Sequence, residues 1–295
     1  MRILGVILLL AICLAEPLIK KDFLKKLRKT VPWEVTDYEN NVFKGLSVED
    51  FQDKADLPSI VLDLEDLPSQ KKSEMDPNAI NWIKKSASCI HEIKNLGECE
   101  GGSYALAVAG MVSDRCCLKG KDHGSLSAME LLSCSGDNYG CAGGWPAWAV
   151  QYAANGLVDE LCYPYSGRNE ECPKKCKNGK DWNAMHVCKC SGAVALRSLA
   201  DVRTALDQGP VVVTFEAYDD LFAYKSGIYC HTVGGFKRLI SARVIGYSED
   251  PQPHLVLAMP FGPLFGEKGF VRMCTTCCGM FGKYEKGNVA CTPAP

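Results

Sequence analysis

The residues with the most chemical potential in this 295-residue chain are its seventeen cysteines and five histidines. Thiolates act as nucleophiles and metal ligands, and an imidazole exchanges a proton near neutral pH. Two stretches have ligand-like spacing, Cys188-x-Cys190 and Cys274-x-x-Cys277-Cys278. They read either as a zinc site or as disulfide partners, and the redox compartment decides between them. Arg2 precedes an apolar run from Ile3 to Ile12, broken only by Gly5, and Cys13-Leu14-Ala15 offers a cleavage site before Glu16-Pro17. That is the pattern of a signal peptide over residues 1–15, with a run too short to cross a bilayer. Removing Cys13 leaves an even set of sixteen cysteines. In a secreted protein, or one lumenal in a secretory or lysosome-like pathway, such a set pairs. Disulfides are therefore expected, with no metal and no cofactor. His91, His123, His186, His231 and His254 read as surface or loop residues.

The formal net charge of -2 gives no electrostatic case for nucleic acid or an anionic membrane. No later segment is long and apolar enough to predict a membrane span.

The elements that must position these residues change in character along the chain. Residues 16–77 contain no cysteine, are rich in Lys, Asp and Glu, and read as a pro-region before a domain spanning 78–295. Within it, Phe23, Leu24 and Leu27 among the lysines of Lys20 to Lys29 predict a short amphipathic helix. Ser103 to Arg115 is apolar almost all round, which predicts a helix buried through the middle of the protein. Ser125 to Ser133 and Pro146 to Asn155 read as further helices. Strands are predicted at 211–215, 242–247, 255–259 and 269–273 from short branched runs bounded by Gly or Pro. Helices first and strands later give an α+β protein with two subdomains, a helical half over about 95–182 and a strand-rich half over about 183–295.

Several motifs recur in one order. They are Ile90-His91-Glu92-Ile93-Lys94-Asn95-Leu96-Gly97-Glu98-Cys99, Ser113-Asp114-Arg115, Cys141-Ala142-Gly143-Gly144, Gly156-Leu157-Val158, Cys162-Tyr163-Pro164-Tyr165 and Asp220 to Tyr229. Together they resemble the papain family of cysteine proteases, cathepsin B in particular. Pro32-Trp33 and Phe43-Lys44-Gly45-Leu46 are similar to parts of a cathepsin B pro-region. The resemblance implies a papain-like two-subdomain fold, with a central buried helix and a barrel-like strand-rich half. It also implies the disulfides Cys89–Cys117, Cys99–Cys141, Cys134–Cys172 and Cys162–Cys176. The pairing of Cys116, Cys188, Cys190, Cys230, Cys274, Cys277, Cys278 and Cys291 stays open, since eight cysteines allow 105 connectivities.

Such a protease needs a thiolate, a histidine to move its proton, a group to orient that histidine, and oxyanion donors. By the resemblance, the oxyanion glutamine corresponds to Leu96. The nucleophile corresponds to Ser103 with one gap, or to Gly102 without it, and neither is a cysteine. The histidine and asparagine correspond to Ile240 and Met259. Loss of one essential member of a triad costs roughly 10⁴ to 10⁶ in kcat, so none of these positions is expected to function. The span Ser166 to Cys172 is short and has no histidine, so the cathepsin B occluding loop is missing too.

A peptide cleft formed by Gly143, Gly144, Tyr104, Phe261 and Phe265 is expected to remain. The reading is a catalytically inert cathepsin B-like protein that binds a peptide or protein ligand, with a protease inhibitor or an active relative among the candidates. The competing readings are a peptidase using Ser103 with a base foreign to the family, and a purely structural disulfide-rich secreted protein.

Overall fold

A computed structural model of the chain describes residues 16–48, 79–281, 284 and 287–293. Residues 1–15, read as a signal peptide, and residues 49–77 of the expected pro-region lie outside the described residues.

In chain order, helix α1 (Lys21–Leu27) and strand β1 (Glu34–Val35) come first, followed by β2 (Ala79–Asn81) and α2 (Trp82–Ser86). The helical half carries α3 (Ser103–Leu118), α4 (Ala128–Cys134) and α5 (Pro146–Tyr152). The strand-rich half carries β3 (Cys190–Ala195), α6 (Leu199–Leu206), β4 (Val211–Tyr218), β5 (Tyr224–Ser226) and β6 (Ile228–Tyr229). It is completed by β7 (Phe236–Ser248), β8 (His254–Ala258), β9 (Phe270–Cys274) and β10 (Val289–Pro293).

Helix α3 forms because its residues are apolar on every face, and it is buried along most of its length. Helix α4 begins at Ser127, whose hydroxyl accepts the N–H of Glu130 as an N-cap. The main sheet runs β3-β10-β4-β7-β8-β9-β6, with β2 added against β7. Its pairs are antiparallel except β6 with β9. Strand β7 is longer than its apolar run predicts: it continues back to Phe236 and pairs with β4 along its length, Phe215 opposite Ile240.

Two apolar cores result. One gathers α3, α4, α5 and the facing residues of β3 and β10. The other lies between the main sheet and the N-terminal segment, and it includes Leu24, Leu27, Trp33 and Phe43. Helix α3 packs against β7 where the halves meet. Among the described residues, no helix is long and apolar enough to cross a membrane.

Candidate functional site

The first residue of α3 points toward β7. Ser103 Oγ accepts the backbone N–H of Ser241 at 3.2 Å, and Ser103 is only 7% exposed. Gly102 belongs to the preceding turn, Glu100–Gly102, where an added Cβ would lie 2.9 Å from Cys99 Sγ. The helix therefore presents Ser103 to the junction of the two halves. Ser241 Oγ is in turn 2.7 Å from Thr214 Oγ1 on β4.

The other three positions that the resemblance picks out are buried side chains of the strand-rich core. Ile240, beside the Ser241 donor, is 1% exposed and packs in the core of the strand-rich half. Met259 follows β8, and its N–H donates to Gly269 O. The N–H of Leu96 donates to Pro260 O at 2.9 Å, while its carbonyl accepts the Tyr165 hydroxyl at 2.8 Å. Leu96 and Met259 share the Ile240 core. An aliphatic or thioether side chain cannot exchange a proton, and among the described residues the hydrogen bond to Ser103 Oγ comes from the Ser241 N–H. Among the described residues no histidine ring is hydrogen-bonded to Ser103. His91 binds Asp114, His186 binds Glu130 and His231 binds Asp220, while His254 contacts Gln252 O and His123 is exposed.

Beside Ser103, the loop Cys141-Ala142-Gly143-Gly144 lies close against Gly101, where a Cβ would meet Gly143 N at 2.6 Å. Gly143 has φ 128°, a conformation that favours glycine. Gly144 is crowded by Asn138 and by the Tyr104 ring. Gly143, Gly144, Trp145, Leu239 and Ser241 line a space of about 20 Å³ over Ser103, room for a single water. Tyr104 is 1% exposed, and burial holds its hydroxyl in the neutral form by raising its pKa.

Phe261 and Phe265 meet the N-terminal segment. The Phe43 ring packs edge-on to Phe222, Phe261 and Phe265 at centroid distances of 5.1, 5.0 and 5.6 Å. Trp33 sits 5.9 and 5.4 Å from Tyr224 and Tyr229. Strand β1 pairs antiparallel with β5, and Asn41 donates to Phe222 O. The N-terminal segment thus adds a two-residue strand and inserts two aromatic side chains into this face.

Sequence reasoning misses the polar network behind Ser103, although Ser113-Asp114-Arg115 is its signal. Asp114, fully buried, accepts two bonds from Arg243 Nη1 at 2.9 Å and one from His91 Nδ1 at 3.0 Å. Chiefly through that hydrogen bond, the His91 pKa is raised. Gly110 leaves room for Arg243, since a Cβ there would lie 2.9 Å from Nη1. The Arg115 guanidinium donates to the carbonyls of Pro210, Cys291, Ala205 and Gly209, and burial pushes its pKa down to about 10.

The cysteines pair as Cys89–Cys117, Cys99–Cys141, Cys134–Cys172 and Cys162–Cys176. Three further pairs are Cys116–Cys188, Cys190–Cys291 and Cys230–Cys274. Cys188 and Cys190 therefore have partners of their own and do not join Cys274, Cys277 and Cys278 in one cluster. Cys277 and Cys278 are outside any disulfide.

The profile described as papain family cysteine protease matches residues 76–286. A protein named cathepsin B-like CP3 from Giardia intestinalis is 29% identical over 218 residues, covering 69% of this chain and 72% of its own. Cathepsin B-like cysteine proteinase 3 of Caenorhabditis elegans is 29% identical over 244 residues, 72% of this chain and 62% of its own. Among solved structures, procathepsin B S9 from Trypanosoma congolense superposes with a TM-score of 0.80 at 24% identity, over 95% of this chain and 100% of that one. The fold is papain-like, a mixture of helix and sheet with multiple disulfides.

Proposed function

Because this chain belongs to the papain family of cysteine proteases, we propose that it is a cathepsin B-like member that does not hydrolyse peptides and instead binds peptide or protein segments. The observation that carries the loss of hydrolysis is the environment of Ser103 Oγ. Its partner is the Ser241 backbone N–H, and Ile240, the residue before it, packs in the core of the strand-rich half. A hydroxyl needs a base within hydrogen-bond reach before it can attack a carbonyl. The reading of Ser103 as a working nucleophile finds no such group here.

The binding half of the proposal is supported by the N-terminal segment itself. Residues 31–46 dock on the strand-rich half through a strand pair, Trp33 and Phe43. A surface that takes its own N-terminal segment in this way suits another segment of the same chemistry, a short strand followed by a turn, with two aromatic anchors. An active relative or a proteinaceous inhibitor fits that description.

A structural role is favoured by a different observation: Tyr104 and Met259 are both buried, each in the core of its own half. The two readings separate experimentally. The purified chain is assayed with a panel of fluorogenic peptides and with fluorescent peptides as ligands. Absence of any turnover that Ser103→Ala abolishes, together with saturable peptide binding, supports the proposal. Ser103-dependent hydrolysis overturns its first half. Absence of binding, even after the N-terminal segment is loosened, overturns its second.

A further inference from the structure

Far from Ser103 in sequence and role, four sulfurs meet at the end of β9. Strand β6 runs parallel to β9, with Tyr229 opposite Met273, so Cys230 and Cys274 leave their strands side by side. The chain then turns through Thr275 and Thr276 to Cys277 and Cys278. Successive side chains on an extended strand point to opposite faces. Cys278 instead has φ 66°, a left-handed conformation uncommon for a non-glycine residue. The Sγ atoms of Cys277 and Cys278 are 2.8 Å apart. The Sγ atoms of Cys230, Cys274 and Cys277 lie within 4.8 Å of one another. A disulfide and a neighbouring dithiol therefore stand within reach.

The loop holding Cys230 is fixed from below. Fully buried Asp220 accepts the Tyr229 hydroxyl at 2.6 Å, the His231 ring at 3.0 Å, and the N–H groups of Thr232 and Val233 at 2.8 and 3.0 Å. Cys277 and Cys230 are partly exposed, whereas Cys274 and Cys278 are buried. A hydrogen bond from the Cys278 thiol lowers the Cys277 pKa, and the His231 backbone N–H adds to it. The same contact and burial push the Cys278 pKa up. Cys277 is thus the more acidic thiol of the pair, partly exposed and flanked by a second thiol, the surroundings of a reactive cysteine.

We propose that Cys277 is a thiol–disulfide exchange nucleophile that moves a disulfide between Cys230–Cys274 and Cys277–Cys278. In the first step the Cys277 thiolate attacks Cys274 Sγ. The Cys274–Cys277 bond forms, the Cys230–Cys274 bond breaks, and the electron pair leaves on Cys230, which takes a proton from solvent. In the second step Cys278 loses its proton to solvent and attacks Cys277 Sγ. The Cys277–Cys278 bond forms, and Cys274 leaves as a thiolate that is then protonated. One disulfide and two thiols are present before and after, so no oxidant or reductant is consumed. The outcome is mechanical: the Cys230 loop is stapled to β9 in one isomer and unstapled in the other.

The test is disulfide mapping of the full chain, secreted from an oxidising host. Thiols are trapped with N-ethylmaleimide after different times at mildly alkaline pH, and the chain is digested without reduction. The proposal expects linked peptides for Cys230–Cys274, Cys274–Cys277 and Cys277–Cys278, interconverting with time at a constant thiol count. It expects Cys277 to alkylate about tenfold faster than Cys278, as its greater thiolate character requires. Cys277→Ser should freeze the chain with Cys230–Cys274 alone, and Cys278→Ser should retain exchange with Cys274 but lose the vicinal link. The wild-type map stands whether or not either variant folds. A single invariant connectivity overturns the proposal, as do four alkylated cysteines with stoichiometric zinc, which would make the cluster a metal site.

Discussion

Ser103 Oγ lies 3.2 Å from the backbone nitrogen of Ser241, and the side chain next to that nitrogen is Ile240, buried in the core of the strand-rich half. The start of the helix and the strand meet at this hydrogen bond, in which the hydroxyl satisfies a buried N–H.

Ser103→Ala should accordingly matter to stability and leave peptide hydrolysis unchanged. Removing the hydroxyl leaves the Ser241 N–H buried without an acceptor, at a cost of about 1–3 kcal/mol. Denaturant unfolding of the two proteins, run beside a peptide hydrolysis assay, reads both effects. A stability loss together with an unchanged hydrolysis background is the expected pair of results.

Restoring chemistry should require the base as well as the nucleophile. Ser103→Cys alone is expected to give a slowly alkylating thiol without turnover. Adding Ile240→His and Met259→Asn should raise kcat/KM on a fluorogenic peptide by about 10²-fold or more, the contribution of a positioned base. The same two changes place polar groups in an apolar core, so a lower Tm should accompany the gain.

The buried Asp114–Arg243 pair should be a stability determinant. Asp114→Ala leaves a guanidinium buried without its carboxylate, and breaking such a pair typically costs about 3–5 kcal/mol. The pH dependence follows from His91. Its folded-state pKa is raised, so its contribution is fully present below the unfolded pKa near 6.5 and is lost as pH rises through the folded value. The stability gap between wild type and His91→Ala should therefore be wider at about pH 5.5 than at about pH 9, as urea unfolding would measure.

The docked N-terminal segment should come loose when its anchors are cut. Trp33→Ala with Phe43→Ala removes two buried aromatic side chains, each worth about 3–5 kcal/mol in a packed core. Limited proteolysis within residues 16–48 should accelerate. A fluorescent peptide copying residues 30–46 should bind the double variant and be excluded from the wild type. Equal binding to both would mean that the peptide uses a different surface.

Local pattern in the sequence is enough to place the central helix, because α3 is apolar on all faces and only a fully buried helix tolerates that. The same kind of pattern cuts strand β7 short, because Arg238, Ser241 and Arg243 interrupt its apolar run. Two of these interruptions are answered by distant groups: Asp114 holds Arg243, and Thr214 with Ser103 holds Ser241. Counting along the chain leaves the nucleophile position ambiguous between Gly102 and Ser103, and in the structure Ser103 is the first residue of α3. The pairings Cys116–Cys188 and Cys190–Cys291 bring together residues 72 and 101 positions apart. Spacing holds no record of such distances; the second arises once β3 and β10 lie side by side, the first once the chain before β3 passes α3. The docking of Phe43 against Phe261 and Phe265 is likewise invisible in the sequence, because nothing local in either stretch names its partner.

Arg115 has a consequence for how the two halves form. Its guanidinium is accommodated only by carbonyls that lie far downstream, those at 205, 209 and 210 and finally that of Cys291. A cation buried before its acceptors arrive is strongly unfavourable. Closing the helical half around α3 without those carbonyls would strand the guanidinium, so burial of Arg115 and formation of the strand-rich half are coupled rather than independent events.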